Sequence, residues 1–125
     1  MKQIKYRSLK KYKYQLLEDY EITSKILPFI PFDLPFLKGK EDILTIKKGY
    51  CWDGPSGPTI DTKTFIRGSL IHDVYYQLIR LGFIDIIYKN VADRELLHIC
   101  LKDGMCKFRA WYIYMAVKLF GWYSL

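Results

Sequence analysis

A histidine and a carboxylate on neighbouring predicted helices have residue types and positions that suit acid–base chemistry. His72 and Tyr76 are four residues apart and share one face of the first predicted helix. Asp93 lies on the apolar side of the second predicted helix, where burying a carboxylate is costly unless it is paired. An imidazole is a suitable partner, so the sequence predicts that Asp93 meets His72.

Each of these residues also has a structural interpretation, which stays open from sequence alone. A lone histidine on a helix is more often solvated or hydrogen-bonded than catalytic. Asp93 comes three residues after Asn90, where its charge suits a helix dipole and a variant of the capping box. Further polar residues beside His72 on the same helix are Ser69, Asp73 and Arg80.

A loop rich in glycine and proline, residues 52–58, precedes the first predicted helix. It contains Asp53 and the carbonyls near Gly54 and Gly57, and Asp73 directly follows the histidine. Hard oxygen ligands of this kind suit calcium. A tight structural turn is the more common role of such a loop.

Strands are predicted over residues 12–22 and 43–50, because tyrosine and β-branched residues alternate imperfectly there with polar ones. Three prolines between residues 28 and 35 indicate an extended loop, since proline removes ladder donors. The apolar side chains of this loop are expected to pack on the domain.

Helical periodicity begins after the glycine- and proline-rich loop. The first helix is predicted to start at Asp61 or Thr62 as its cap, to run to about Leu81 and to end at Gly82. Its core-facing stripe, at spacings of three and four, consists of Ile66, Leu70, Val74, Leu78 and Leu81.

Two further helices follow in the sequence. One is predicted to begin at Asn90, capped by that side chain, and to run to Gly104. The other covers about Lys107 to Phe120, with Gly121 as its end. Strands followed by helices predict an α+β fold, with short antiparallel N-terminal strands and three packed α-helices.

The length of 125 residues predicts a single domain over 1–125. It divides into a basic segment 1–13, strands over 14–50, the loop 51–61 and helices over 62–121. Six of the 20 basic residues lie in the basic segment, which has no acid. In the rest of the chain, 14 basic residues are almost balanced by 13 acidic ones. The net charge of +7 therefore belongs to the N-terminal segment, which argues against nucleic-acid binding by the fold itself.

Other function classes are disfavoured by composition. Three cysteines without a CxxC pair do not make a disulfide framework, and two histidines are too few for a zinc site built from several of them. No apolar run has the length of a membrane span or of a signal peptide. We expect a protein that is made in the cytoplasm of the host cell, and association with a virion stays open.

Three short motifs resemble the histidine- and aspartate-dependent phospholipases A-two, above all their disulfide-poor viral capsid and bacterial forms. The motifs are the loop 52–58, the HDxxY pattern of His72, Asp73 and Tyr76, and Ala92-Asp93. They span about residues 49–103. Over more of its length, the chain resembles a family of small phage and bacterial proteins, the domain-of-unknown-function family thirteen fifty-three. That likeness rests on residues 49–61, 65–76 and 92–93, and toward the C-terminus on Arg109, Tyr114 and residues 116–122.

The phospholipase resemblance implies a role for each residue of the pair. His72 would be the general base that draws a proton from water. Asp93 would fix the tautomer of His72 and stabilise the imidazolium, and Tyr76 would support Asp93 by hydrogen bonding. Calcium held by Asp53, Gly54 and Asp73 would stabilise the oxyanion.

A lipid hydrolase also implies a membrane partner. Aromatic side chains and lysines both favour the surface of an anionic bilayer, although core packing is the more common role of aromatics. The residues concerned are Trp111, Trp122 and Tyr123, with the basic segment.

Two functions of different class therefore stay open. One is calcium-dependent hydrolysis of phospholipid esters, which requires Asp93 within hydrogen-bond reach of His72. The other is a non-enzymatic phage structural or assembly protein, in which the same residues form a buried polar network between helices. Nucleic-acid binding through the N-terminal lysines is a third and weaker hypothesis. A phosphohydrolase of the HD type needs additional histidines, and only His98 remains.

Overall fold

The computed structural model describes residues 3–9, 13–53 and 62–125. Contacts divide the chain into two compact units, residues 1–53 and 54–125. Strands occupy the first unit and helices the second, so the fold is α+β as predicted. The single-domain prediction stays a prediction.

The first unit contains two antiparallel sheets. Their order is β1-β2-β7 in one and β3-β6-β5-β4 in the other. The strands are β1 (Tyr6–Ser8), β2 (Lys13–Leu16), β3 (Tyr20–Thr23), β4 (Phe32–Asp33), β5 (Leu37–Lys40), β6 (Ile43–Ile46) and β7 (Cys51–Asp53).

Side-chain alternation explains the second sheet. Leu44 and Ile46 point to one face of β6 and are fully buried, whereas Thr45 between them is not. Glu41 has a φ of 57°, which suits the tight turn between β5 and β6. Gly39 is required on β5, because the ring of Phe32 occupies the space that a Cβ would fill.

Three expectations for this unit are wrong in detail. The predicted strand over 12–22 is two strands in different sheets, since the chain turns at residues 17–19. In the proline-rich loop, Phe32 is buried as expected and belongs to β4, but Phe29 and Ile30 are exposed. The predicted loop 51–61 begins with strand β7, which pairs with β2. Residues 54–61 of that loop lie outside the described residues.

Over residues 62–125, the second unit has three α-helices and two short 3-10 helices. Helix α1 packs on α2, and α2 packs on α3. Among the described residues, no helix has both the length and the apolar character needed to cross a membrane. The α-helices are α1 (Thr62–Arg80), α2 (Lys89–Lys102) and α3 (Lys107–Phe120), and the 3-10 helices are Ile86–Tyr88 and Gly121–Ser124.

Helix ends agree only in part with the sequence predictions. Gly82 follows α1 with a φ of 84°, as expected of a glycine that ends a helix. Leu81 is 53% exposed because it lies beyond the last turn, so it is not part of the core stripe. Asn90 is the second residue of α2 and not its cap. Gly121 is helical and leads α3 into the final 3-10 helix. The predicted cap Asp61 lies outside the described residues.

Candidate functional site

Four side chains from α1 and α2 meet in the second unit. The sequence places His72 and Tyr76 one turn apart on α1, and Lys89 and Asp93 one turn apart on α2. All four are buried. The packing of α1 on α2 therefore brings two helix faces together around one carboxylate.

One oxygen of Asp93 serves both residues of α1. Nε2 of His72 lies 2.9 Å from Oδ1 of Asp93, and the hydroxyl of Tyr76 donates to the same oxygen at 2.7 Å. The rings of His72 and Tyr76 also pack together, with their centroids 4.0 Å apart. The three residues to which the sequence points are thus in direct contact.

Lys89 is the residue that sequence reasoning missed. Its ammonium donates to Oδ2 of Asp93 at 2.6 Å, and both side chains are only 1% exposed. It also donates to the carbonyls of Val117 at 3.0 Å and Lys118 at 3.3 Å, at the end of α3. The ring of Trp122 lies 4.7 Å from the same ammonium. The spacing of four between Lys89 and Asp93 could predict an ion pair on one helix face, but it could not predict that the lysine is buried.

The C-terminal 3-10 helix approaches the cluster at a glycine. A Cβ on Gly121 would meet the hydroxyl of Tyr76 and would lie 3.2 Å from Cε of Lys89. The backbone of Gly121 has a φ of −61°, which any residue can adopt. Close approach, and not backbone conformation, therefore requires glycine here.

Hydrogen bonds set the charge state of Asp93. Burial opposes ionisation, but donors from His72, Lys89 and Tyr76 outweigh it and hold the pKa of Asp93 below its usual value. Burial, together with the hydrogen bond to Asp93, raises the pKa of Tyr76 far above that of a free tyrosine. Asp93 is therefore a carboxylate and Tyr76 a neutral donor at physiological pH.

An ionised Asp93 determines the tautomer of His72. Since the carboxylate can only accept, Nε2 of the neutral ring carries the proton and donates it, and Nδ1 keeps its lone pair. Within the described part of the chain, Nδ1 has no hydrogen-bond partner. The arrangement has the parts of a base: an oriented imidazole with a free lone pair.

The residues predicted to hold calcium belong to different units, and one of them lies outside the described residues. Asp53 is exposed at the end of β7 in the first unit, Asp73 is half-buried on α1 in the second, and Gly54 lies outside the described residues. Both oxygens of Asp93 already accept donors. Across 3–9, 13–53 and 62–125, no three or more His, Cys, Asp or Glu side chains cluster as metal ligands do. Calcium stays a prediction of the sequence.

The other polar residues of α1 have structural partners. The hydroxyl of Ser69 donates to the carbonyl of Ile66 at 2.8 Å, and Arg80 donates to the carbonyl of Ser124 at 3.1 Å. His98 is exposed on α2. Core packing is the wrong interpretation for the three aromatic residues singled out by sequence, all of which are exposed: Trp111, Trp122 and Tyr123.

The fold and the cluster define an α+β protein with a buried histidine–aspartate–lysine centre in its helical unit. Comparisons with protein-family models, curated proteins and solved structures gave no match to the chain. The two resemblances described above therefore stay expectations, carried by the motifs quoted for them.

Proposed function

We propose that the protein hydrolyses phospholipid esters, with His72 as the general base. The observation that carries this is the 2.9 Å contact between Nε2 of His72 and the Asp93 carboxylate. It orients the ring and leaves Nδ1 as the basic atom. A larger distance would have removed the basis for the chemistry.

The reaction needs no covalent intermediate. Nδ1 of His72 takes a proton from a water whose oxygen attacks the ester carbonyl carbon. The tetrahedral species collapses by breaking the bond to the alcohol, and the imidazolium returns its proton to that leaving oxygen. Asp93 holds the ring in position, and Tyr76 holds Asp93. Calcium, which the resemblance to phospholipases A-two implies, would supply charge stabilisation for the oxyanion.

Fatty-acid release from mixed phospholipid vesicles tests this function, with calcium or with a chelator. His72→Gln keeps a donor for Asp93 but has no base, so we expect release to fall about 100-fold or more. His98→Gln replaces the exposed histidine and should release fatty acid like the wild type. Absence of release by the wild-type protein in both conditions would reject the hydrolase.

A second candidate is favoured by Lys89. Its ammonium shares the Asp93 carboxylate, which weakens the pull of that carboxylate on an imidazolium, and it joins α2 to the end of α3. Under this alternative, the cluster is a buried network in a non-enzymatic phage structural or assembly protein. It predicts no hydrolysis by the wild type, while His72→Ala lowers the free energy of unfolding.

A further inference from the structure

We propose that α3 and the 3-10 helix after it bind the surface of an anionic phospholipid bilayer, with the axis of α3 along the membrane plane. Of the 14 residues of α3, only Ala110 is buried. Large apolar side chains recur along the opposite side at spacings of three, four and seven. These side chains, between 51% and 89% exposed, are Phe108, Trp111, Tyr112 and Leu119, continued by Trp122 and Tyr123; together they are called the α3 stripe.

Exposed basic residues border the α3 stripe on one side. Lys107 and Lys118 are eleven residues apart, so they lie on one side of the helix, next to Trp111. Arg109 lies toward the other edge, but it is half-buried and one nitrogen of its guanidinium is fully buried, so it does not add a second basic edge. Residues 104–125 contain no acid. An apolar strip with a basic edge is typical of a helix that lies in a membrane interface.

Charge complementarity favours an anionic lipid surface over a second copy of the chain. A two-fold dimer through the α3 stripe with antiparallel helices would place this basic edge opposite its own copy, and like charges repel. A bilayer with anionic headgroups attracts the basic edge instead, while the lysine stems extend along the apolar region. Tryptophan and tyrosine, which make up most of the aromatic surface, suit the headgroup level.

Binding at the α3 stripe does not require hydrolysis, so the test uses ether-linked lipids that contain no ester. The wild-type protein is floated with vesicles of ether-linked phosphatidylglycerol and phosphatidylcholine in equal parts, and with phosphatidylcholine alone. We expect binding to the first, with a blue shift of tryptophan fluorescence, and much weaker binding to the second. A failed hydrolysis assay would leave this result unchanged.

Matched double variants locate the binding face. Phe108→Ser with Leu119→Ser should weaken binding about tenfold, since each buried apolar side chain adds to interfacial affinity. Leu81→Ser with Ile87→Ser removes two other exposed apolar side chains of the same unit and should bind like the wild type.

Two further double variants, each of which removes two positive charges, test the electrostatic contribution to binding. Lys107→Gln with Lys118→Gln should weaken binding roughly 30-fold, at about fivefold for each basic side chain near an anionic surface. Lys40→Gln with Lys48→Gln removes exposed lysines of the first unit and should have little effect. Three results overturn lipid binding at α3: no flotation of the wild type, equal loss in the control variants, or a dimer by sedimentation that only Phe108→Ser with Leu119→Ser dissociates.

Discussion

Lys89 and Asp93 form a fully buried ion pair one turn apart on α2, with Nζ 2.6 Å from Oδ2. The ammonium makes it possible to bury a carboxylate that also accepts from His72 and Tyr76. Since Lys89 donates to the carbonyl of Val117 as well, it links the candidate site to the end of α3. The site and the packing of the helical unit therefore depend on the same lysine.

Replacing Lys89 by methionine should lower the free energy of unfolding by about 3–5 kcal/mol, because Asp93 is left as an uncompensated buried charge. Urea denaturation measures the change. Lys102→Met alters an exposed lysine of the same helix and should stay within about 0.5 kcal/mol of the wild type. The prediction is contradicted if Lys89→Met lowers the free energy of unfolding by less than about 1 kcal/mol while the m-value stays about the same.

Acid should destabilise the protein through Asp93. Its pKa is lower in the folded than in the unfolded state, so its stabilisation is fully present above the unfolded value of about 4. That stabilisation is lost as the pH falls through the folded pKa. Unfolding curves from about pH 6 to pH 2 should therefore show a smaller acid loss in Asp93→Asn than in the wild type. Asp42→Asn, at an exposed carboxylate, should keep the wild-type profile.

Gly121→Ala should destabilise the protein by about 1–3 kcal/mol, because the new methyl group meets the hydroxyl of Tyr76. Thermal or urea denaturation measures the loss. In a Tyr76→Phe background the obstructing oxygen is absent, so the same substitution should cost less. Equal costs in the two backgrounds would show that Tyr76 is not what excludes a side chain at Gly121.

The three cysteines should differ in reactivity. Burial raises the pKa of the Cys100 thiol to about 12, while Cys51 and Cys106 are exposed. Alkylation of the native protein at mildly alkaline pH should therefore label two thiols rapidly and Cys100 only after unfolding. Mass spectrometry of peptides identifies the sites. Rapid labelling of Cys100 under native conditions would contradict its burial.

Several features of the candidate site could be predicted locally. His72 and Tyr76 at a spacing of four share a helix face whatever else the chain does, and Asp93 on an apolar face needs a partner. Lys89 could not be predicted as a buried member. Lysine is ordinarily exposed, and its acceptors at Val117 and Lys118 lie far along the chain.

The strands show the same division. The strand predicted over 43–50 includes β6, which ends at Ile46, but the single strand predicted over 12–22 is wrong, because β2 and β3 belong to different sheets. Phe29 and Ile30 were expected to pack and are exposed. Hydrophobicity shows that a side chain favours burial. Whether another element packs against that side chain is decided only by the tertiary structure.

The amino-acid sequence by itself determined the fold class, the extents of the three helices to within a few residues and the pairing of His72 with Asp93. These follow from periodicity, from glycines and from the cost of an unpaired buried carboxylate, which are properties of short segments. Only the tertiary structure decided that Lys89 is buried with Asp93, that Gly121 lies against Tyr76 and that the α3 stripe is exposed. Those outcomes depend on contacts between residues distant in the chain, which no local pattern encodes.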